Sequence, residues 1–421
     1  MSDEVILLPD PPSKNGTGLV ATWHRTPLYA RIMGGMLLGI LAGIVFGEHV
    51  AALELPSKLI LRLLGALASP LIMVAVVRAL MHAEISGKFA TRLIGLLILN
   101  TVVAIMIGLM VANVIQPGRH ESLKPAKIHA SSSDHPSLVL QFLDNVPKSL
   151  LAPLVEGNVI GVILIALAFG IALRRLKAHP VNTAGDVVNL LYESLVIILH
   201  WVIDVVPLGV FGIVASIIGT KGFGPFKALA WFILSVIIAL LLQGCYYLIR
   251  VRIWSWVRPS DLVRGCRDAL VMAFSTASST ATMPVTYGCL VGKVKLREES
   301  AGMGALVGAN FNNDGTALYE AMSALFISQM LGINLGLPKQ LVVVLTSIVA
   351  SVGAAGIPEA GLVTMTLVFN AVGLPLEYIA ILLPVDWFLD RCRTMINVMG
   401  DMNVSCILDG KQPQSASADQ E

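Results

Sequence analysis

Charge is scarce in this chain. Asp, Glu, Lys and Arg make up 13% of its 421 residues, against about a quarter in soluble domains. That scarcity excludes a soluble enzyme and a disordered chain. The 29 basic and 27 acidic residues nearly cancel, so there is no electrostatic footprint for nucleic acid. Aromatic residues reach only 6%, too few for the girdles of a transmembrane β-barrel. The five cysteines are odd in number and form no CxxC pair, which excludes a disulfide framework and a zinc knuckle. None of the eight histidines pair at i, i+4, and HExxH is absent, so a metalloprotease reading fails. No apolar core segment with a small-residue cleavage site stands in residues 1–27, and no secretory signal is expected there. What the chain has instead is apolar surface: 56% hydrophobic residues and a mean hydropathy of +0.79. A soluble core of this size could not hide so much, so the solvent must be lipid.

Apolar runs cover about 29–47, 57–81, 93–118, 149–173, 187–218 and 228–249, each long enough to cross roughly 30 Å of hydrocarbon. Residues 119–147 are polar and read as a surface loop. Arg25 and Arg31, then Arg78, Lys88 and Arg92, then Arg174, Arg175 and Lys177, then Arg250 to Arg267 and Lys293 to Arg297 fall on one side if the spans alternate. The positive-inside rule then places the N-terminus in the cytoplasm, and a plasma (inner) membrane is the expected location.

After residue 268 the apolar segments are interrupted. FSTASSTATMPVTYG carries Pro284, NFNNDGT breaks the next run, SVGAAGIPEAG carries Pro358, and DWFLDRCRTMINVMGD brings charge to the last. Polar backbone at membrane depth persists only where protein or a water-filled cavity satisfies it, so this part should do the work. A weak internal repeat runs through it: Ser278…Pro284 before Asn312 and Asp314, and Ser351…Pro358 before Asn397 and Asp401. Paired interrupted segments point to the midplane site of a secondary transporter.

The last segment carries the strongest signal. At about 100° per residue, Asp386, Arg393, Thr394, Asn397 and Asp401 lie within roughly 60° of Asp390. Left in lipid, each charge costs about 2.5–3.5 kcal/mol, so the stripe must face a cavity or form an ion-pair ladder between packed helices. Asn312-Asn313-Asp314-Gly315 is either a simple turn or a helix break whose free carbonyls join Asp and Asn oxygens around a hard cation. Ser278, Ser279 and Thr280 form a carboxylate cradle at a hairpin tip or a helix-packing surface. Gly353, Gly356 and Gly361 around Pro358 allow a movable turn or close packing. Glu320 is a paired acid or a proton carrier. Asn100 is packing glue or an ion ligand. His200 reads as a hydrogen-bonded core residue.

At STASSTATMP, NNDGTALYEA, SVGAAGIPEAGLVTM and DWFLDRCRTMINVMGD, in that order, the chain resembles the glutamate transporter family of dicarboxylate and amino-acid:cation symporters. The motifs look closest to its excitatory amino-acid branch, and the short loops and tails suit a prokaryotic member. The likeness is dense from about 264 to 410 and looser over 30–250.

The resemblance implies an all-α polytopic membrane protein, not an enzyme, with eight transmembrane helices, two re-entrant helical hairpins and inverted repeats. Both termini would be cytoplasmic (1–27 and 411–421). A six-span region (28–258) would combine a trimerisation scaffold with peripheral helices, and a transport core (259–410) would slide across the membrane in a homotrimer. Substrate would be held by Arg393 (side-chain carboxylate), Asp390 (amino group), Asn397 and Ser279 (α-carboxylate), with Ser278, Thr316, Gly361 and Thr394 around it. Gly308, Asn312, Asn397 and Asp401 match one sodium site. Asp314 belongs to another, with Asn310, Ser351, Asn100 and Thr101 at further ligand positions. Glu320 matches an acid linked to proton coupling. Ala277 and Arg391 sit where one branch or the other has an arginine, which compensates charge. Acidic amino acid and Na⁺ are the implied cargo; proton coupling or a C4-dicarboxylate is the alternative. The chain departs from the family at Asn313, Asn310, Asn100 and Leu97, which touch two of three sodium sites.

Overall fold

A computed structural model describes residues 26–82, 87–120, 149–152, 183–353 and 360–412, with Trp23, Ile165, Ala168 and Phe169 as isolated positions. Every regular element among the described residues is helical. Most of the two predicted tails, the 119–147 loop and the 149–173 span lie outside them, as do Gly356 and Pro358.

The apolar runs become α1 (Leu28–Phe46), α2 (Leu55–His82), α3 (Gly87–Ile115), α4 (Ala184–Lys221) and α5 (Gly224–Trp254). Among the described residues, four stretches are long and apolar enough to cross a membrane: Leu28–Val50, Thr91–His120, Ala184–Thr220 and Gly224–Trp254. In lipid a helix satisfies its own backbone, which is why such runs fold this way. Thr183 starts α4 with a reciprocal cap: its hydroxyl accepts from the Asp186 amide at 3.2 Å and its amide donates to Asp186 Oδ2 at 2.8 Å.

Small residues set how closely these helices approach. Gly35 and Gly39 of α1 lie against α4 so tightly that a Cβ would stand 2.6 Å from the Pro207 carbonyl oxygen and 2.7 Å from that of Phe211. Gly43, one turn on, would meet Ile218 Cβ at 2.7 Å. Backbone-to-backbone packing of this kind holds helices together where lipid removes the hydrophobic drive. The helix pairings fall into two groups. α1 and α2 pack along α4, while α3 and α5 pack together and onto the later helices.

The chain then shortens its stride: α6 (Pro259–Gly265), α7 (Arg267–Thr276), α8 (Ser279–Cys289), α9 (Glu298–Gly302), α10 (Gly308–Phe311), α11 (Asp314–Met330), α12 (Leu337–Gly353), α13 (Ala360–Val372) and α14 (Leu383–Asp409). α7 and α8 form a hairpin. Ala277 turns it in the left-handed region at φ 52°, and Ser278 caps α8 by accepting from the Ala281 amide at 3.1 Å. At the open end Lys293 Nζ stands 2.5 Å from Asp268 Oδ2. That hydrogen bond lowers the Asp268 carboxyl and raises the Lys293 ammonium from their ordinary values. α12 and α13 pack as a second hairpin, which also touches α2.

Two features of α14 fix its position. Gly304, in a π-helical turn over Met303–Val307, lies so close that any side chain would strike Ser405. At the far end Asp409 Oδ1 accepts from the Arg297 amide at 3.1 Å and its Nε at 2.9 Å, while Oδ2 accepts from Trp256 Nε1 at 2.6 Å.

Candidate functional site

The polar stripe predicted on the last span faces inward along α14. Asp386, Asp390, Arg393, Thr394, Asn397 and Asp401 are all buried. The surrounding elements are the tip of the first hairpin, the α10–α11 break and the start of α13.

Arg393 is 0% exposed. Its Nη1 donates to Asp386 Oδ1 at 2.9 Å and its Nη2 to Asp390 Oδ1 at 2.7 Å. The guanidinium lies over the Tyr319 ring, 4.0 Å from its centre, a cation–π contact that also fixes its plane. From the other side α13 approaches: a Cβ on Gly361 would stand 3.1 Å from Arg393 Nη2. Arg393 is thus a planar, permanently charged donor fork between a carboxylate pair and the second hairpin. Among the described residues Arg393 Nε and Asp386 Oδ2 have no hydrogen-bond partner, so the group retains unused polar capacity.

A second group surrounds the helix break. Asn312 and Asn313 leave helical geometry, with ψ of 78° and 50°. Asn312 Nδ2 donates to Asp401 Oδ1 at 3.0 Å and to the Asn397 carbonyl at 3.2 Å. Asn397 Oδ1 accepts from the Gly315 amide at 2.8 Å, and Asn397 Nδ2 donates to Asn313 Oδ1 at 3.3 Å. Asn313 Nδ2 in turn donates to the Ser351 carbonyl of α12 at 2.9 Å. Gly308 faces Asp401, where a Cβ would stand 2.9 Å from Oδ1. Asn312 Oδ1 has no partner among the described residues. Hard cations take carboxylate, amide and carbonyl oxygens of this kind, and Asp401, Asn312 and Asn397 are the residues that could hold one. Among the described residues no His, Cys, Asp and Glu converge as a transition-metal site.

Asp314 forms a third group. Oδ1 accepts from the Thr101 hydroxyl at 2.7 Å, and Oδ2 accepts from the Tyr247 hydroxyl. Gly400 makes room for this contact: a Cβ there would stand 3.0 Å from Tyr247 Oη and 3.1 Å from Asp314 Oδ2.

The remaining predicted residues are placed as follows. Ser279 Oγ donates to the Ala309 carbonyl at 3.3 Å, joining the first hairpin to the break. Thr316 is buried in the first turn of α11. Thr394 Oγ1 donates to the Asp390 carbonyl at 2.8 Å. Glu320 is fully buried and accepts from the Thr364 hydroxyl. His200 Nδ1 bonds the Val196 carbonyl at 2.8 Å. Two residues stay apart from the cluster. Asn310 donates to the Leu306 carbonyl of its own helical turn at 3.2 Å, and Arg391 donates to the Trp387 carbonyl at 2.6 Å. Asn100 turns its side-chain oxygen to Arg250. Arg250, read from the sequence as one of the cations following a span, is instead buried within α5. Sequence reasoning also passed over Tyr247, Tyr319 and Thr364, whose roles arise from contacts across helices. The one available signal was an unbroken apolar context around polar hydroxyls.

Residues 28–411 match the sodium:dicarboxylate symporter family. The chain is 31% identical over 433 residues to the excitatory amino acid transporter 2 of Mus musculus, covering 88% of this chain and 75% of that protein. It is 28% identical to the excitatory amino acid transporter 3 of Homo sapiens, covering 88% and 82%. It is also 28% identical to an excitatory amino acid transporter of Caenorhabditis elegans, covering 93% and 89%. The buried ionic stripe, the broken helix and these matches agree: this multi-pass membrane protein is a cation-coupled symporter and not an enzyme, and it belongs to the sodium:dicarboxylate symporter family.

Proposed function

We propose that the chain takes up acidic amino acids, aspartate or glutamate, in symport with Na⁺. The carrying observation is the buried Arg393–Asp390 pair at 2.7 Å. Together the two side chains present one guanidinium and one carboxylate. An acidic amino acid brings the complement, a side-chain carboxylate for Arg393 and an ammonium for Asp390. Exchanging the internal pair for two substrate pairs keeps both protein charges matched and leaves the α-carboxylate as one net negative charge for a coupled cation to offset. A C4-dicarboxylate has no ammonium and would leave Asp390 facing a second anion.

The backbone around the pair completes the site. The Ser278–Ser279 tip and Asn397 would receive the α-carboxylate, with Thr316, Thr394 and Gly361 lining it. Na⁺ would sit among Gly308, Asn312, Asn397 and Asp401. Asn313 and Ser351 link that site to the second hairpin. Glu320 would carry a proton if one is coupled. The two helix groups support a division into a scaffold (α1, α2, α4) and a mobile body (α3, α5 and the helices after 259). In this reading eight spans and two re-entrant hairpins assemble as a homotrimer in the plasma membrane, with both termini cytoplasmic. The mobile body moves as an elevator.

The test is uptake of radiolabelled L-aspartate into proteoliposomes, with Na⁺ and pH gradients imposed separately. Accumulation against the aspartate gradient, driven by Na⁺, is expected. Transport of succinate but not aspartate would overturn the amino-acid reading, and equilibration without accumulation would indicate an uncoupled channel.

A further inference from the structure

Arg250 is an unusual cation. A long basic side chain near the end of a span normally extends its head to water, yet this one is 8% exposed. It is held by neutral groups. Its Nη1 donates to Asn100 Oδ1, and its guanidinium lies 5.4 Å from the centre of the Tyr246 ring. Gln243 fixes the Asn100 backbone by donating to its carbonyl at 3.4 Å. No ion pair cancels the Arg250 charge among the described residues.

The same two helices hold Asp314. Thr101, next to Asn100 on α3, donates to one carboxylate oxygen, and Tyr247, one turn before Arg250 on α5, donates to the other. Arg250 therefore stands one helical turn from the residue that bonds Asp314, and the two charges are fixed in register by neighbouring residues. Asp314 differs in this from Asp401. Both Asp314 oxygens already accept hydroxyl hydrogens and a guanidinium charge stands nearby. Beside Asp401, Asn312 Oδ1 has no partner among the described residues.

We propose that Arg250 is a tethered cation that supplies the positive charge at Asp314, so that no coupling ion binds there. This inference rests on the cation-symport reading above and adds to it: the chain moves one cation fewer per substrate than it would with a neutral residue at 250. Asn100 is the positioning residue that holds the guanidinium in place.

The purified full-length protein tests this without substrate. Its unfolding midpoint is followed against Na⁺ concentration, where the slope of stability on ln[Na⁺] counts bound ions. Arg250→Gln keeps a donor for Asn100 and removes the charge; its slope should rise by one ion, and Arg250→Lys should restore the wild-type slope. In proteoliposomes the charge carried per aspartate should rise by one in R250Q. An R250Q slope equal to a non-zero wild-type slope overturns the proposal alone. Zero slope in both proteins overturns the cation reading as well. If R250Q does not fold, wild-type crystals soaked in Tl⁺ decide. Anomalous density beside Asp401 and Asn312 but not Asp314 supports the proposal, whereas Tl⁺ on Asp314 with Arg250 still bonded to Asn100 overturns it.

Discussion

Arg393 is the bulkiest of the fully buried side chains among the described residues, and its burial is sustained by two carboxylates and the Tyr319 ring. Removing one partner of a buried, hydrogen-bonded charge pair costs about 2–5 kcal/mol. Arg393→Cys or Arg393→Thr should therefore lower aspartate affinity by about 30-fold or more. It should also open the site to neutral amino acids, whose side chains need no counter-charge. Competition of labelled aspartate uptake by serine and alanine reads both effects; unchanged aspartate affinity in the variant would remove Arg393 from the site. Asp390→Asn keeps the shape and loses the charge that pairs an ammonium. It should abolish stabilisation of the protein by aspartate while leaving its size in detergent unchanged. Wild-type stabilisation of D390N by aspartate would show that another group receives the amino nitrogen.

Glycine decides how close the helices come. Gly400→Ala would push a methyl group between Asn312, Tyr247 and Asp314. Because a packed core tolerates overpacking at a cost of about 1–3 kcal/mol, Na⁺ affinity should fall by roughly tenfold while α14 stays helical. A sodium titration of the unfolding midpoint measures it. Gly39→Leu acts elsewhere: the added side chain collides with the Phe211 carbonyl of α4 and should lower the melting temperature without changing Na⁺ affinity. Much of this architecture was legible beforehand. Uninterrupted apolar runs gave α1 to α5 to within a few residues. The α14 stripe was visible because helical periodicity places charges on one face whatever they touch. The break at Asn312–Asn313 followed from NNDG. What could not be read were partners supplied by other helices. Nothing near Arg250 or Tyr247 in the chain reveals Asn100 or Asp314, because those contacts join residues 150 and 67 positions apart. The π turn at Gly304 was equally hidden, since only the approach of Ser405 explains it.

Among the described residues the interior is short of positive charge: Asp314, Glu320, Asp386, Asp390 and Asp401 are buried against Arg250 and Arg393, while Asp409 is met by Arg297 at the rim. If all were ionised, the carboxylates would be in surplus by three, and an acidic amino acid adds one more net negative charge. Charge buried in low dielectric without compensation is too costly to move across a bilayer. Substrate binding must therefore draw in cations, and this requirement couples the two. A tenfold Na⁺ gradient contributes about 1.4 kcal/mol per ion, and each net charge crossing 100 mV about 2.3 kcal/mol. Two Na⁺ per aspartate would thus carry one net charge inward and drive accumulation by more than three orders of magnitude, from about 5 kcal/mol at that gradient and potential. Aspartate affinity should tighten steeply with Na⁺, by at least tenfold per decade of concentration, and binding should be absent in choline or K⁺ alone. Glu320 is fully buried, and a proton carried there would replace one of these ions. If aspartate binds equally well in Na⁺-free buffer and a pH gradient alone drives uptake, protons rather than Na⁺ neutralise the surplus.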